Sequence, residues 1–147
     1  MTEMLERALS VSRDLGLPVF PCVETCDQKG KVSKRPYTKK GFKAATLNEV
    51  EIVSWWEKFP NALIGVPTGK NTGIFLIDID QSDSKNGEAS FAELEIDDPK
   101  TCQTRTVSGG RQIIFKYPQA QKLRNSAGNL LGPNIDTRGE GGYFLAS

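Results

Sequence analysis

The chain has 147 residues, read as one domain over residues 1–147, which is long enough to bury a real core. Its 37% hydrophobic and 25% charged residues are those of an ordinary soluble protein, with no apolar run long enough for a membrane span, no signal-peptide pattern, no repeat and no low-complexity segment. The net charge is only +1, so no strong overall acidic or basic bias points to a partner.

Residues 3–15 carry Leu5, Ala8, Leu9 and Leu15 at helical spacing, and Gly16 supplies the stop. Residues 18–22 predict a short strand. Residues 24–45 hold Gly, Lys, Ser and Pro with no apolar period, which predicts one long loop, a feature usually functional or mobile in a compact domain. Thr46-Leu47-Asn48-Glu49 matches a capping box and opens a helix to about Lys58. Its Trp55-Trp56 pair suits core and rim packing better than base stacking. Residues 62–66 form a strand, Pro67-Thr68-Gly69 a turn, residues 73–80 a strongly apolar strand and residues 88–95 a short helix. Residues 104–107, the turn Ser108-Gly109-Gly110 and residues 111–117 predict a hairpin. Residues 134–137 and 142–146 are two last short strands, with Gly139, Gly141 and Gly142 as a flexible turn. The fold class is α+β with a mixed or antiparallel sheet.

Cys22, Cys26 and Cys102 are odd in number, have no paired spacing and meet no histidine anywhere in the chain. A disulfide framework and a four-ligand zinc site are both disfavoured, and a reducing cytoplasm is the expected location.

The charges are segregated. Residues 29–43 contain Lys29, Lys31, Lys34, Arg35, Lys39, Lys40 and Lys43 and no acid. Residues 78–98 contain eight acids and one lysine. Lys100, Arg105, Arg111, Lys116, Lys122 and Arg124 follow, with no acid before Asp136. Basic stretches around an acidic centre suit a polyanion held over a metal site. Taken alone the charge runs read as solvated loops.

The acidic centre begins at the end of the 73–80 strand. Side chains alternate, so Asp78 and Asp80 share one side while Phe75, Ile77 and Ile79 turn to a core on the other. Two such carboxylates repel unless a cation lies between them, and Mg²⁺ takes one or two carboxylates plus substrate phosphates. Phosphoryl-transfer chemistry is one reading and a capped turn is the other. Asp136, in Asn134-Ile135-Asp136-Thr137-Arg138-Gly139, is a candidate third ligand. Arg138 would share its face, to hold a phosphate or pair with a carboxylate. Ser108-Gly109-Gly110 either offers backbone N–H groups to a phosphate or is a plain hairpin turn. Walker A and G-x-G-x-x-G patterns are absent.

In order, these segments resemble the bifunctional primase-polymerase (Prim-Pol) domain of the archaeo-eukaryotic primase superfamily. The resemblance runs through Leu17-Pro18-Val19-Phe20-Pro21, Gly41-Phe42-Lys43-Ala44-Ala45-Thr46, Trp55-Trp56 and Asn61-Ala62-Leu63-Ile64-Gly65-Val66-Pro67-Thr68-Gly69. It continues through Gly73 to Asp80, Ser108-Gly109-Gly110-Arg111-Gln112, Ile135-Asp136-Thr137-Arg138-Gly139 and Gly141-Gly142-Tyr143. It implies an RRM-like catalytic core and template-directed nucleotidyl transfer, as DNA primase or polymerase, on dNTP or NTP along a single-stranded DNA template. Asp78, Asp80 and Asp136 would be the catalytic ligands of Mg²⁺ or Mn²⁺. Ser108, Gly109, Gly110, Arg111, Gln112, Arg138 and Lys43 would bind the nucleotide, with Lys34 a further phosphate or template contact. Gln112 stands where the family has histidine; glutamine donates a hydrogen bond but carries no charge. A binding module for nucleotide or single-stranded DNA without turnover is the alternative, and a plain assembly domain the third reading. The resemblance further implies the N-terminal part of a plasmid, phage or prophage replication protein with a helicase beyond it. The family pattern continues past Gly141-Gly142-Tyr143, so a domain cut short at Ser147 is expected.

Overall fold

A computed structural model describes residues 2–95, 101, 103–106, 109–118 and 122–146. Lys100, Cys102, Val107 and Ser108 therefore lie outside the described residues. The chain groups into two units, residues 1–67 with 143–146, and residues 68–142.

In the first unit, α1 (Glu3–Asp14) starts where the Thr2 hydroxyl accepts from the Leu5 N–H at 3.3 Å. Leu5, Ala8, Leu9 and Ser12 form its buried stripe, and Gly16 ends it at φ +64°. α2 (Glu49–Lys58) packs against α1, and Arg13 of α1 forms a two-pronged pair with Glu49, one arm at 2.8 Å. This contact holds the Glu49 carboxyl below its usual range and raises the Arg13 guanidinium, chiefly through the hydrogen bond. Four strands, β1 (Phe20–Cys26), β2 (Val32–Pro36), β3 (Leu63–Pro67) and β9 (Tyr143–Ala146), pair antiparallel in the order β2-β1-β3-β9. Val19, Phe20, Cys22, Ile52, Trp56, Ile64 and Val66 are buried in this unit. The Trp56 indole N–H donates to the Ala62 carbonyl at 3.1 Å, which satisfies its polar edge inside the core.

The first unit corrects two expectations. Residues 24–45 are not one loop: they contain the end of β1, all of β2 and a 3-10 turn at Gly41–Ala44. β2 is an edge strand with four of its five residues exposed, so it has no apolar alternation to betray it. The cap of α2 is Asn48, which accepts from the Glu51 N–H at 3.2 Å. Thr46 precedes the cap because its backbone is still extended and pairs with Val19, both bonds at 3.0 Å.

The second unit holds β4 (Ile74–Ile79), α3 (Gly87–Glu93), β5 (Gln103–Arg105), β6 (Arg111–Lys116), β7 (Ser126–Ala127) and β8 (Ile135–Arg138). The sheet order is β5-β6-β4-β8-β7, and every named pair is antiparallel. One face of the sheet carries Ile77, Ile79, Ile113 and Ile135, and Phe91 of α3 completes that core. Phe75 and Phe115 extend it. On the opposite face Ile74 and Leu76 are buried, while Asp78 is half-buried. The two-residue β7 has too few residues for any period to announce it. The architecture is α+β with antiparallel sheets, and among the described residues no helix is long and apolar enough to cross a membrane.

Candidate active site

β4 lies at the centre of its sheet because its apolar run pairs on both edges. The registers set five residues in one row across one face: Thr104 on β5, Gln112 on β6, Asp78 on β4, Asp136 on β8 and Ala127 on β7. Residues directly opposite each other share a face, so the Asp78 and Asp136 side chains stand side by side. Like charges so placed destabilise a sheet unless a cation offsets them. Arg138, two residues along β8, shares this face and brings Nη2 to 3.5 Å from Asp136 Oδ2. Its Nη1 also donates to the Thr137 and Ser126 carbonyls at 3.2 and 3.4 Å.

Gln112 is buried, and its Oε1 accepts from the Thr104 hydroxyl at 3.0 Å. This bond presents the amide nitrogen as the donor end of the side chain.

Asp80 follows the last residue of β4. β4 ends at Ile79; beyond it the Asp80 N–H donates to the Asn134 carbonyl at 2.8 Å, still in register with the β4–β8 ladder, and its carbonyl accepts from the Gly87 N–H at 2.7 Å. The Asp80 carboxylate lies 3.8 Å from Lys85 Nζ. Among the described residues, no three His, Cys, Asp or Glu side chains are gathered to hold a metal ion. The Asp78–Asp136 pair still fits a hard divalent cation, since Mg²⁺ binds through one or two carboxylates and completes its shell with substrate phosphates and water.

The glycine turn is closed by its own bonds. The Gly109 and Gly110 N–H groups donate to the carbonyl and hydroxyl of Thr106, each at 3.0 Å. Gly109 has φ +100°, and a Cβ on Gly110 would strike the Ile79 carbonyl, so the second glycine lets the turn press against the end of β4. Ser108 lies outside the described residues. The neighbouring turn is also packed rather than loose: Gly139 and Gly142 are buried, and a Cβ would meet the Leu123 backbone at the first and Asn125 at the second.

Arg111 is on the other face. It stands opposite Ile79, forms a two-pronged pair with Glu88 of α3 at 2.8 and 2.9 Å, donates to Gln103 Oε1 at 3.0 Å and lies over the Phe91 ring. The structure thus brings Asp78, Asp136, Gln112 and Arg138 together and sets Arg111 in the helix-facing core. Lys43, in the 3-10 turn, and Lys34, on β2, are exposed residues of the first unit.

Sequence reasoning missed Thr104 and Glu88. The signal for Thr104 was present: a hairpin centred on residue 108 pairs 104 with 112. Glu88 had no such signal, because its partner Arg111 lies 23 residues away. The sequence model of the Prim-Pol family, described as bifunctional DNA primase/polymerase, N-terminal, matches residues 8–147. No curated protein matches the chain.

Proposed function

The chain belongs to the Prim-Pol family, and from that premise we propose that it carries out template-directed nucleotidyl transfer on the Asp78–Asp136 face. Membership implies DNA primase or polymerase activity in general, with DNA and nucleotides as substrates. The observation that carries the proposal is the register setting two carboxylates directly opposite each other at mid-sheet, with Arg138 and Gln112 on the same face. The proposed reaction is attack of a 3′-hydroxyl on the α-phosphate of a nucleotide, with pyrophosphate leaving.

Asp78 and Asp136 would hold a divalent ion, Mg²⁺ or Mn²⁺, with Asp80 as the third carboxylate. Such an ion, when bound, lowers the pKa of the attacking hydroxyl and stabilises the leaving oxygen. The exposed Asp80–Lys85 contact at 3.8 Å is worth little, so it holds Asp80 back only weakly. Arg138 supplies a guanidinium for a phosphate oxygen. Gln112, steadied by Thr104, supplies a neutral donor. Ser108 and the Gly109-Gly110 turn are the remaining proposed triphosphate contacts. An RRM-like core is supported by the order β5-β6-β4-β8, with α3 joining β4 to β5 across one face. A second helix between β6 and β8 is not found among the described residues. The replicon context and an associated helicase belong to the same proposal.

The test is primer extension and de novo priming with labelled nucleotide in Mg²⁺ and in Mn²⁺. The parent chain adds nucleotides, while Asp78→Asn and Asp136→Asn lose addition and keep their fold by circular dichroism. Mn²⁺ raises the melting temperature of the parent and not of either variant, because only the intact pair binds it. Extension by both variants at the parental rate would remove the carboxylates from the mechanism. A second reading, nucleotide binding without turnover, is favoured by the uncharged Gln112. It predicts saturable nucleotide binding with no incorporation in either metal.

A further inference from the structure

We propose that Thr68 and Asn125 are positioning residues for Arg138, and that they set the reach of its guanidinium toward a nucleotide phosphate. The inference rests on the phosphate role given to Arg138 in the proposed reaction. Arg138 is the last residue of β8. The two-residue β7 pairs with Asp136 and Thr137 and stops short of it. Side chains take over where that ladder stops. The Gly139 N–H donates to Asn125 Oδ1 at 3.0 Å, and the Gly139 carbonyl accepts from the Thr68 hydroxyl at 2.6 Å. Gly139 is buried, so its backbone groups need partners within the protein. Two residues earlier, the Thr137 hydroxyl donates to the Arg124 carbonyl at 3.0 Å. That uses its one proton, so Ser126 is the donor in the 2.7 Å bond between the Ser126 and Thr137 hydroxyls. Residues 124–126 thus form a strap along residues 137–139. The strap is itself anchored at Leu123, whose N–H donates to the Tyr117 hydroxyl and whose carbonyl accepts from the Glu140 N–H, both at 2.8 Å.

The need to satisfy a buried backbone accounts for the bonds at Gly139 and would suit any strand end. The Arg138 side chain points beyond that. Its Nη1 donates to the Ser126 carbonyl at 3.4 Å and to the Thr137 carbonyl at 3.2 Å. The strap that fixes the backbone on either side of Arg138 therefore also holds one arm of its guanidinium. Nη2, at 3.5 Å from Asp136 Oδ2, is the arm turned to the carboxylates. A free arginine loses much rotamer freedom when it is fixed on a ligand. A guanidinium already held gives up less when a phosphate arrives, so the strap raises affinity by preorganisation.

The test reads nucleotide binding apart from turnover. Labelled nucleotide is titrated against the whole chain with Mn²⁺ and without primer or template. Asn125→Ala and Thr68→Val weaken binding about two- to ten-fold, the cost of ordering a freed arginine. Thr68→Ser keeps the hydroxyl and binds like the parent. Arg138→Gln also weakens binding, and in that background Asn125→Ala and Thr68→Val cause no further loss, because they act through Arg138. A purely structural role gives a different pattern: a lower melting temperature, with the affinity of the folded protein unchanged. Asn125 is exposed, so Asn125→Ala keeps its fold even where loss of the buried Thr68 hydroxyl does not. Parental affinity in Asn125→Ala, or losses that add to that of Arg138→Gln, overturn the proposal. Coupled binding of nucleotide with no incorporation in a primer-extension assay leaves the positioning role standing and removes the transfer reading. Incorporation without the coupling does the reverse, and a parent that binds no nucleotide overturns both.

Discussion

Gln112 accepts from Thr104 on one side and stands opposite Asp78 on the other. Its substitutions therefore have opposite expected signs. In Gln112→His, the Asp78 carboxylate and a bound triphosphate both favour the charged ring, while burial opposes it. Two anionic neighbours outweigh desolvation when nucleotide is present, so nucleotide affinity rises below neutral pH and approaches the parental value above it. Gln112→Ala removes the donor and weakens nucleotide binding by about 1–3 kcal/mol, the range for a hydrogen bond to a charged group. Thr104→Val keeps the shape but frees the amide to rotate, which weakens binding by about 0.5–1.5 kcal/mol. Labelled nucleotide titrated against the four proteins with Mn²⁺ at pH 6 and pH 8 checks the set. Four equal affinities would make Gln112 an ordinary strand residue.

At the scale of elements, the Arg111–Glu88 pair ties α3 to β6 beneath the carboxylate row. The Arg111 side chain is 9% exposed, so its charge depends on Glu88 for compensation. Glu88→Gln leaves a guanidinium facing a neutral amide. The expected loss is roughly 1–3 kcal/mol by urea denaturation, below the ~3–5 for a fully buried pair because the Glu88 side chain is 34% exposed. No loss would mean that α3 is held by Phe91 packing alone. The pair also marks where the sequence stops being legible. β4 and β6 announce themselves by apolar runs, and turn chemistry at Gly109-Gly110 fixes β5 as the hairpin partner of β6. Arg111 follows the same glycine turn, and nothing local tells a phosphate contact from a core ion pair. That distinction depends on which face of β6 the helix covers, which is set by tertiary packing. β2 shows the converse case, an element held by backbone pairing with no side-chain period to read.

Across the whole molecule, the family was legible because short motifs kept their order over nearly the full chain. The approach of Asp136 to Asp78 followed from that order and not from any local pattern, since 58 residues separate them. Global stability carries one signature of the first unit's core. Cys22 is fully buried, and burial pushes its thiol up to about 12. In the unfolded chain the thiol ionises near its ordinary value of about 8.5. The folded state therefore holds the proton more tightly, and the linked stability is fully present below about pH 8.5 and is lost as pH rises toward 12. The expected slope is about −1.4 kcal/mol per pH unit in that window. Lysines and tyrosines titrate there too, so the parent must be compared with Cys22→Ala. That variant is less stable by a constant amount up to about pH 8, because the smaller side chain leaves a cavity. Above about pH 9 the two denaturation curves should converge, since only the parent pays for an unfolded thiolate's proton. Exposed Cys26 reacts with a thiol reagent at pH 8 while Cys22 stays protected until the chain unfolds. Parallel stability curves from pH 8 to pH 10.5 would show that the Cys22 thiol ionises in the folded chain as readily as in the unfolded one.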